Sequence, residues 1–176
     1  SLQQLQSFSD TGFKPSTAIF SPRGDLLIAA GLTGIRVWSV KSGEQLFRHD
    51  GVFSERFLIS SSPDQRYLYW LERNGCVAVA DIYEPRQFRH FGNDVRTFCF
   101  SPDGKYVATG NVDNVVTTWS TEGLQQIKNL YGHRYAVNCV AFSPAGNRIA
   151  SGSEDEIVRL WDVNSGRAIR VFEGHL

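Results

Sequence analysis

Phe142-Ser143-Pro144-Ala145-Gly146-Asn147-Arg148-Ile149-Ala150-Ser151-Gly152-Ser153-Glu154-Asp155-Glu156-Ile157-Val158-Arg159-Leu160-Trp161-Asp162 carries two turns and the strands around them. Ser143 to Gly146 reads as a turn, because Pro presets φ at its second position and Gly accepts a positive φ. Arg148 to Ser151 reads as a strand, and Ser153 to Glu156 turns the chain again. Ile157 to Val163 alternates apolar and polar side chains, the pattern of a half-buried strand. Upstream, Ala136 to Phe142 is short, apolar and rich in β-formers. Downstream, Asn164-Ser165-Gly166 turns and Ala168 to Phe172 makes a fourth strand. Four short antiparallel strands therefore fill one stretch, and no segment shows helical periodicity of useful length.

The same outline recurs along the chain. Pro22, Pro63, Pro102 and Pro144 stand 41, 39 and 42 residues apart. Trp38, Ala80, Trp119 and Trp161 stand 42, 39 and 42 apart. These landmarks set repeats at 1–43, 44–85, 86–123 and 124–166, with 167–176 starting a fifth. A lone four-stranded sheet cannot bury both faces, whereas stacked sheets can, so the repeat implies an array.

Composition narrows the function. The 176 residues carry 18 Lys plus Arg and 18 Asp plus Glu, a formal net charge of zero. That balance favours neither nucleic acid nor a membrane as partner. No apolar run reaches the roughly 18 residues of a spanning helix. Ser1 to Phe8 lacks the basic start and apolar core of a signal peptide. The chain has no Met, which suggests processing or excision from something longer. Cys76, Cys99 and Cys139 sit in apolar runs without metal-type spacing. They read as buried free thiols in a reducing compartment, hence an intracellular protein of cytoplasm or nucleus.

Gly132-His133, Phe142-Ser143-Pro144, Ser151-Gly152-Ser153-Glu154-Asp155, Leu160-Trp161-Asp162 and a closing Gly174-His175 resemble a WD repeat, whose period is about 40–45 residues. The resemblance covers essentially the whole chain and weakens toward its start. It implies an all-β fold of WD-repeat β-propeller blades, each a four-stranded antiparallel sheet. In that family a His, a hydroxyl, an Asp and a Trp form a buried hydrogen-bonded chain. The matching residues are His133, Ser151, Asp155 and Trp161, then Thr109, Asp113 and Trp119 in the third repeat. There Gly92-Asn93 stands where Gly-His belongs. Repeat two has Trp70 at the hydroxyl position and Asn74 at the Asp position. Repeat one has Ala29 at the hydroxyl position and a shorter turn. Apolar packing is expected to hold those two.

The resemblance also implies a partner-binding rim, at Glu55, Phe57, Arg73, Asp94, Arg96, Val112, Ala136, Asn138 and Glu154, with Lys14 and Ser16 in repeat one. The rim suits a protein or peptide, with no cofactor and no metal. Two catalytic readings compete. Ser151, His133 and Asp155 invite a hydrolase triad, but no Gly-x-Ser-x-Gly elbow is present. Asp94, Glu154, Arg73 and Arg96 are the nearest set for a propeller glycosidase, and no Asp box accompanies them. Arg86, Arg89, His90 and Arg96 read as the solvated face of an outer strand, and His49 as a surface His at a strand end. Leu2-Gln3-Gln4-Leu5 echoes Leu124-Gln125-Gln126-Ile127, so the chain reads as starting and stopping on outer strands. An incomplete ring is expected, to be finished by further blades or by self-association. The leading expectation is a non-catalytic interaction scaffold, and the alternative is a regulatory or sensing module of a larger signalling protein.

Overall fold

The structure, a computed structural model, describes residues 7, 8, 10–51, 53, 58–84 and 87–174. Sixteen strands and no helix occur among them. The first sheet runs β1 (Thr17–Phe20), β2 (Leu26–Gly31), β3 (Gly34–Ser39), β4 (Gln45–Asp50). The second runs β5 (Ile59–Ser61), β6 (Tyr67–Leu71), β7 (Val77–Asp81), β8 (Phe88–Phe91). The third runs β9 (Val95–Phe100), β10 (Tyr106–Asn111), β11 (Val116–Ser120), β12 (Gln126–Leu130). The fourth runs β13 (Val137–Phe142), β14 (Arg148–Ser153), β15 (Val158–Asp162), β16 (Ala168–Phe172). The sequence repeat is offset from the sheets: the repeat from residue 44 opens on β4, which pairs with β3 of the first sheet.

The Ser-Pro turns explain the first hairpin of every sheet. In three of them the N–H of Gly24, Gly104 or Gly146 donates to the carbonyl of Ser21, Ser101 or Ser143. Each glycine has φ between 72° and 78°, so the turn uses a conformation that Cβ disfavours. In the second sheet Gln65 takes that place at φ 62°. The serines have a second role. The hydroxyls of Ser21, Ser62, Ser101 and Ser143 accept the N–H of Leu26, Tyr67, Tyr106 and Arg148 at 2.9–3.1 Å, closing the hairpin from inside.

A second shared device lies before the tryptophans. The β3–β4, β11–β12 and β15–β16 pairings each slip by one residue just ahead of Trp38, Trp119 and Trp161. Such a bulge re-aims the side chain that follows.

The described residues fall into two compact bodies, one within Ser1–Arg73 and Ala78–Arg89, the other within Asn74–Val77 and His90–Leu176. In the first body Leu26, Ile28, Ile35, Val37 and Phe47 of the first sheet bury against Ile59, Leu68, Trp70, Ala78 and Ala80 of the second. In the second body Ala108, Val116 and Leu130 of the third sheet bury against Val137, Ile149 and Trp161 of the fourth. At roughly 25 cal/mol per Å², such facing rows are the main favourable term in a stacked-sheet fold. One thiol departs from expectation: Cys139 is exposed, because it lies on the face of the fourth sheet turned away from the third. Cys76 and Cys99 are half-buried, and desolvation pushes the Cys99 thiol up to about 12.

Candidate functional site

The fourth sheet holds a continuous polar chain. The bulge before Trp161 turns its indole inward, and its Nε1–H donates to Ser151 Oγ at 2.8 Å. Indole N–H is only a donor, so the Ser151 proton goes to His133 Nε2, 2.7 Å away. That leaves a proton on His133 Nδ1, which donates to Asp155 Oδ2 at 2.9 Å. Asp155 also accepts the N–H of Arg134 at 2.9 Å and of Ile157 at 3.1 Å. Burial alone would raise its pKa. The Arg134 N–H, the His133 imidazole and the Ile157 N–H outweigh that and hold the carboxyl below its ordinary value. Ser151 is buried and its oxygen already receives the indole proton, so this constellation is not disposed for nucleophilic attack.

The other sheets solve the same problem differently. In the third, Trp119 Nε1–H donates to Thr109 Oγ1 at 3.0 Å. The ring beside Trp119 is Phe91, at 5.2 Å between centroids, as His133 lies 6.0 Å from Trp161. Asn93, expected at the His position, is exposed, and so is Asp113. With a phenyl ring in place of imidazole, nothing inside needs that carboxylate. Counting eleven residues back from Pro102 and Pro144 lands on Phe91 and His133 alike, a signal present in the sequence.

In the second sheet Trp70 occupies the hydroxyl position and gathers rings. His49, Phe88, Phe53 and Phe47 lie 5.4, 5.8, 6.3 and 6.4 Å from it. His49 is therefore a packing residue as well as a strand end. Desolvation lowers its pKa, against the opposing pull of Glu72 and Asp50.

The first sheet adds a buried ion pair to the apolar packing expected of it. Arg36 is 4% exposed, and its guanidinium pairs closely with Asp10 and, at 2.6 Å, with Asp50. It also donates to the carbonyls of Ile35 and His49 at 2.9 and 3.1 Å. Phe13 lies under it at 4.8 Å, and Phe8 and Phe13 sit 6.1 and 6.4 Å from Trp38. A buried Arg36–Asp10 pair stacked on the Phe13 ring stands here where His-Ser-Asp stands in the fourth sheet.

The rim residues of the second body meet at one place. Arg96 of β9 donates to Asn138 Oδ1 of β13 at 2.8 Å and pairs closely with Glu154, in the turn after β14. Asn138 Nδ2 donates to Glu154 Oε1 at 3.5 Å. Beside them the Asp94 carbonyl accepts the Val112 N–H at 2.9 Å, and Asp94 has φ 53°, in the left-handed region. Asp94, Val112, Asn138 and Glu154 are exposed, and Arg96 is half-buried. Ala136 is a correction: its side chain is buried, and only its carbonyl serves the rim, by accepting the Glu154 N–H at 3.0 Å. Arg73, Lys14 and Ser16 are exposed in the first body. Glu55, Phe57 and Arg86 lie outside the described residues, as do residues 2–5 and His175.

Repeated four-stranded antiparallel sheets, with a His-Ser-Asp-Trp chain in the fourth, define a propeller-blade protein of the WD type. The chain carries a repeat of the WD-repeat family. The model of the WD domain, G-beta repeat, matches residues 124–162. Among relatives, WD repeat-containing protein 62 of Mus musculus and of Sus scrofa are each 36% identical over 71 residues. Those alignments cover 37% of this chain and 5% of the relatives' length. Repeats of this family act in general as protein-interaction scaffolds. Among the described residues no helix is long and apolar enough to cross a membrane.

A second family model, the Cytochrome D1 heme domain, matches residues 28–139, a stretch running from β2 to β13. The residues there do not fit a haem. His133 spends both ring nitrogens on Ser151 and Asp155, and His49 is wedged among Phe53, Trp70 and Phe88. His90 is exposed on β8. A cleft of about 970 Å³ in the first body is lined by Tyr67, Val79, Asp81, Tyr83, Glu84, Gln87 and Arg89. That lining offers no imidazole or sulfur ligand; its aromatic oxygen donors are the Tyr67 and Tyr83 phenols, set beside the charged Asp81, Glu84 and Arg89.

Proposed function

We propose that this chain is a non-catalytic scaffold that holds a protein or peptide on the rim formed by Arg96, Asn138 and Glu154, with Asp94 and Val112 beside them. One observation carries the reading. Three side chains from two neighbouring sheets are already linked to each other at an exposed site, so little ordering is left to pay for on binding. Loops on a rigid scaffold are where recognition concentrates, and left-handed Asp94 is the kind of local strain that accompanies it. Glu154 can take a basic side chain from the partner while Val112 offers apolar contact. The relatives' far greater length leaves room for the second reading, in which this chain is a regulatory module set among other domains.

Selection of a random peptide library on the chain tests this. Selected peptides are expected to carry a Lys or Arg, and to lose roughly tenfold or more in affinity, about 1.4 kcal/mol, against Arg96→Ala/Glu154→Gln. Equal affinity for both forms would overturn the assignment of the rim.

A further inference from the structure

The cleft of the first body is built from the middle of the sequence, between Tyr67 and Arg89. Side chains alternate between the two faces of a strand. Leu68 and Trp70 of β6, with Ala78 and Ala80 of β7, pack toward the first sheet, so Tyr67, Val79 and Asp81 point the other way and line the cleft. Its volume of about 970 Å³ falls within the roughly 300–1,000 Å³ of small-molecule sites. Two cations share one ring there: Cζ of Arg66 and of Arg89 lie 5.5 and 5.7 Å from the centre of Tyr67. Their charges are met differently. Arg66 Nε–H donates to Asp81 Oδ2 at 2.7 Å, and that bond raises its pKa, with Tyr67, Asp81 and Glu84 adding to the effect. Arg89 is exposed, and among the described residues no carboxylate pairs with it. Its charge still acts on this face of the sheet, opposing the burial that pushes the Tyr69 phenol up to about 12.

Asp81 also anchors the segment after β7. Its Oδ1 accepts the N–H of Tyr83 at 2.9 Å and of Glu84 at 3.2 Å, while Oδ2 is taken by Arg66. Asp81 is thereby used up in holding two other groups at the cleft. Tyr83 is 60% exposed. Glu84 is exposed, and among the described residues no side-chain cation pairs with it. The cleft therefore presents one uncompensated guanidinium, one uncompensated carboxylate, an open aromatic ring and an apolar floor at Val79. A purely anionic ligand would meet like charge at Asp81 and Glu84, and a purely cationic one at Arg66 and Arg89. A ligand carrying both charges meets neither penalty. Guanidinium binds a carboxylate through two parallel N–H donors, and an ammonium is drawn both to a carboxylate and to the face of a tyrosine ring.

We infer that this cleft binds a small zwitterion of the α-amino-acid type with an apolar or aromatic side chain. Arg89 takes the carboxylate, Glu84 and the Tyr83 ring take the ammonium, and Val79 meets the side chain. The site lies in the first body and the rim in the second, so the inference does not depend on the rim reading.

Amide NMR of the 176-residue chain, titrated to about 10 mM with phenylalanine, phenylalaninamide and N-acetylphenylalanine, tests this. The amide lacks the carboxylate and the acetyl compound lacks the ammonium. Phenylalanine is expected to shift Glu84 and Arg89, and to bind roughly tenfold more tightly than either relative. Arg89→Gln is expected to lose the preference over the amide and keep that over the acetyl compound. Glu84→Gln is expected to do the reverse. Both positions are exposed, and thermal unfolding of each variant checks that it folds. Arg96→Ala/Glu154→Gln is expected to bind phenylalanine as the wild type does. Glu84 and Arg89 unmoved throughout, equal affinity for the three compounds, or preferences that survive both substitutions would overturn the inference.

Discussion

Asp155 accepts from one imidazole and two backbone N–H groups, and so ties the β14–β15 turn to the segment before β13. Truncating it orphans all three donors. Asp155→Ala is expected to lower unfolding free energy by roughly 1–3 kcal/mol, read from denaturant midpoints. The charge adds a pH dependence of known sign. The folded carboxyl titrates below the ordinary value of 3.8, so its contribution is full above that value and is lost as pH falls through the lower folded one. Stability is expected to hold down to about pH 5 and to decline below about 4. Asp155→Asn should be the flatter of the two curves in that acid window. Curves of equal slope would mean that the carboxylate is solvated in the folded state. These roles were legible in the sequence, because hydroxyl, Asp and Trp recur at a spacing that only a shared sheet register explains. Arg36 was not. Its ligand Asp10 lies 26 residues away, in a segment without periodicity, and a single Arg in a strand carries no mark of burial.

At the scale of one element, the buried pair and the close sheet contact make opposite demands. Asp10→Ala leaves Arg36 buried with only the exposed Asp50 as counter-charge, and is expected to cost roughly 2–4 kcal/mol. Replacing both, Asp10→Ala with Arg36→Met, should cost less than the two single changes summed, since the uncompensated charge disappears with its partner. A double-mutant cycle by urea denaturation measures that difference, and additive losses would mean the pair is not coupled. Gly110→Ala forces a methyl against Val137 and Thr97, at 2.6 and 2.8 Å. It is expected to destabilise by about 1–3 kcal/mol. Gly152→Ala meets the end of the Cys139 side chain, with Val158 at an ordinary 3.9 Å, and should cost less. The turn glycines were readable from their partners Ser and Pro. The glycine at position 110 was not, because its reason lies in a neighbouring sheet.

For the whole molecule, one backbone plan is filled with four chemistries. Ring, hydroxyl and indole positions are held by His-Ser-Trp, Phe-Thr-Trp, a cluster around Trp70, and an Arg-Asp pair beneath Phe13. Strand number, order and hairpin turns follow from the period alone, which is why the sheets were legible although two repeats had lost their motif residues. The rim was only half legible. Counting along the repeat located Arg96, Asn138 and Glu154, but it took the packing of the third sheet on the fourth to bring them within hydrogen-bonding distance and to bury Ala136. The central claim is that this rim is where the scaffold takes its partner. Backbone amide NMR of the chain, titrated with a peptide selected on it, tests that most directly. The account predicts that shifts cluster at Asp94, Arg96, Val112, Asn138 and Glu154. Shifts confined to the Tyr67–Arg89 cleft, with the rim unmoved, would contradict it.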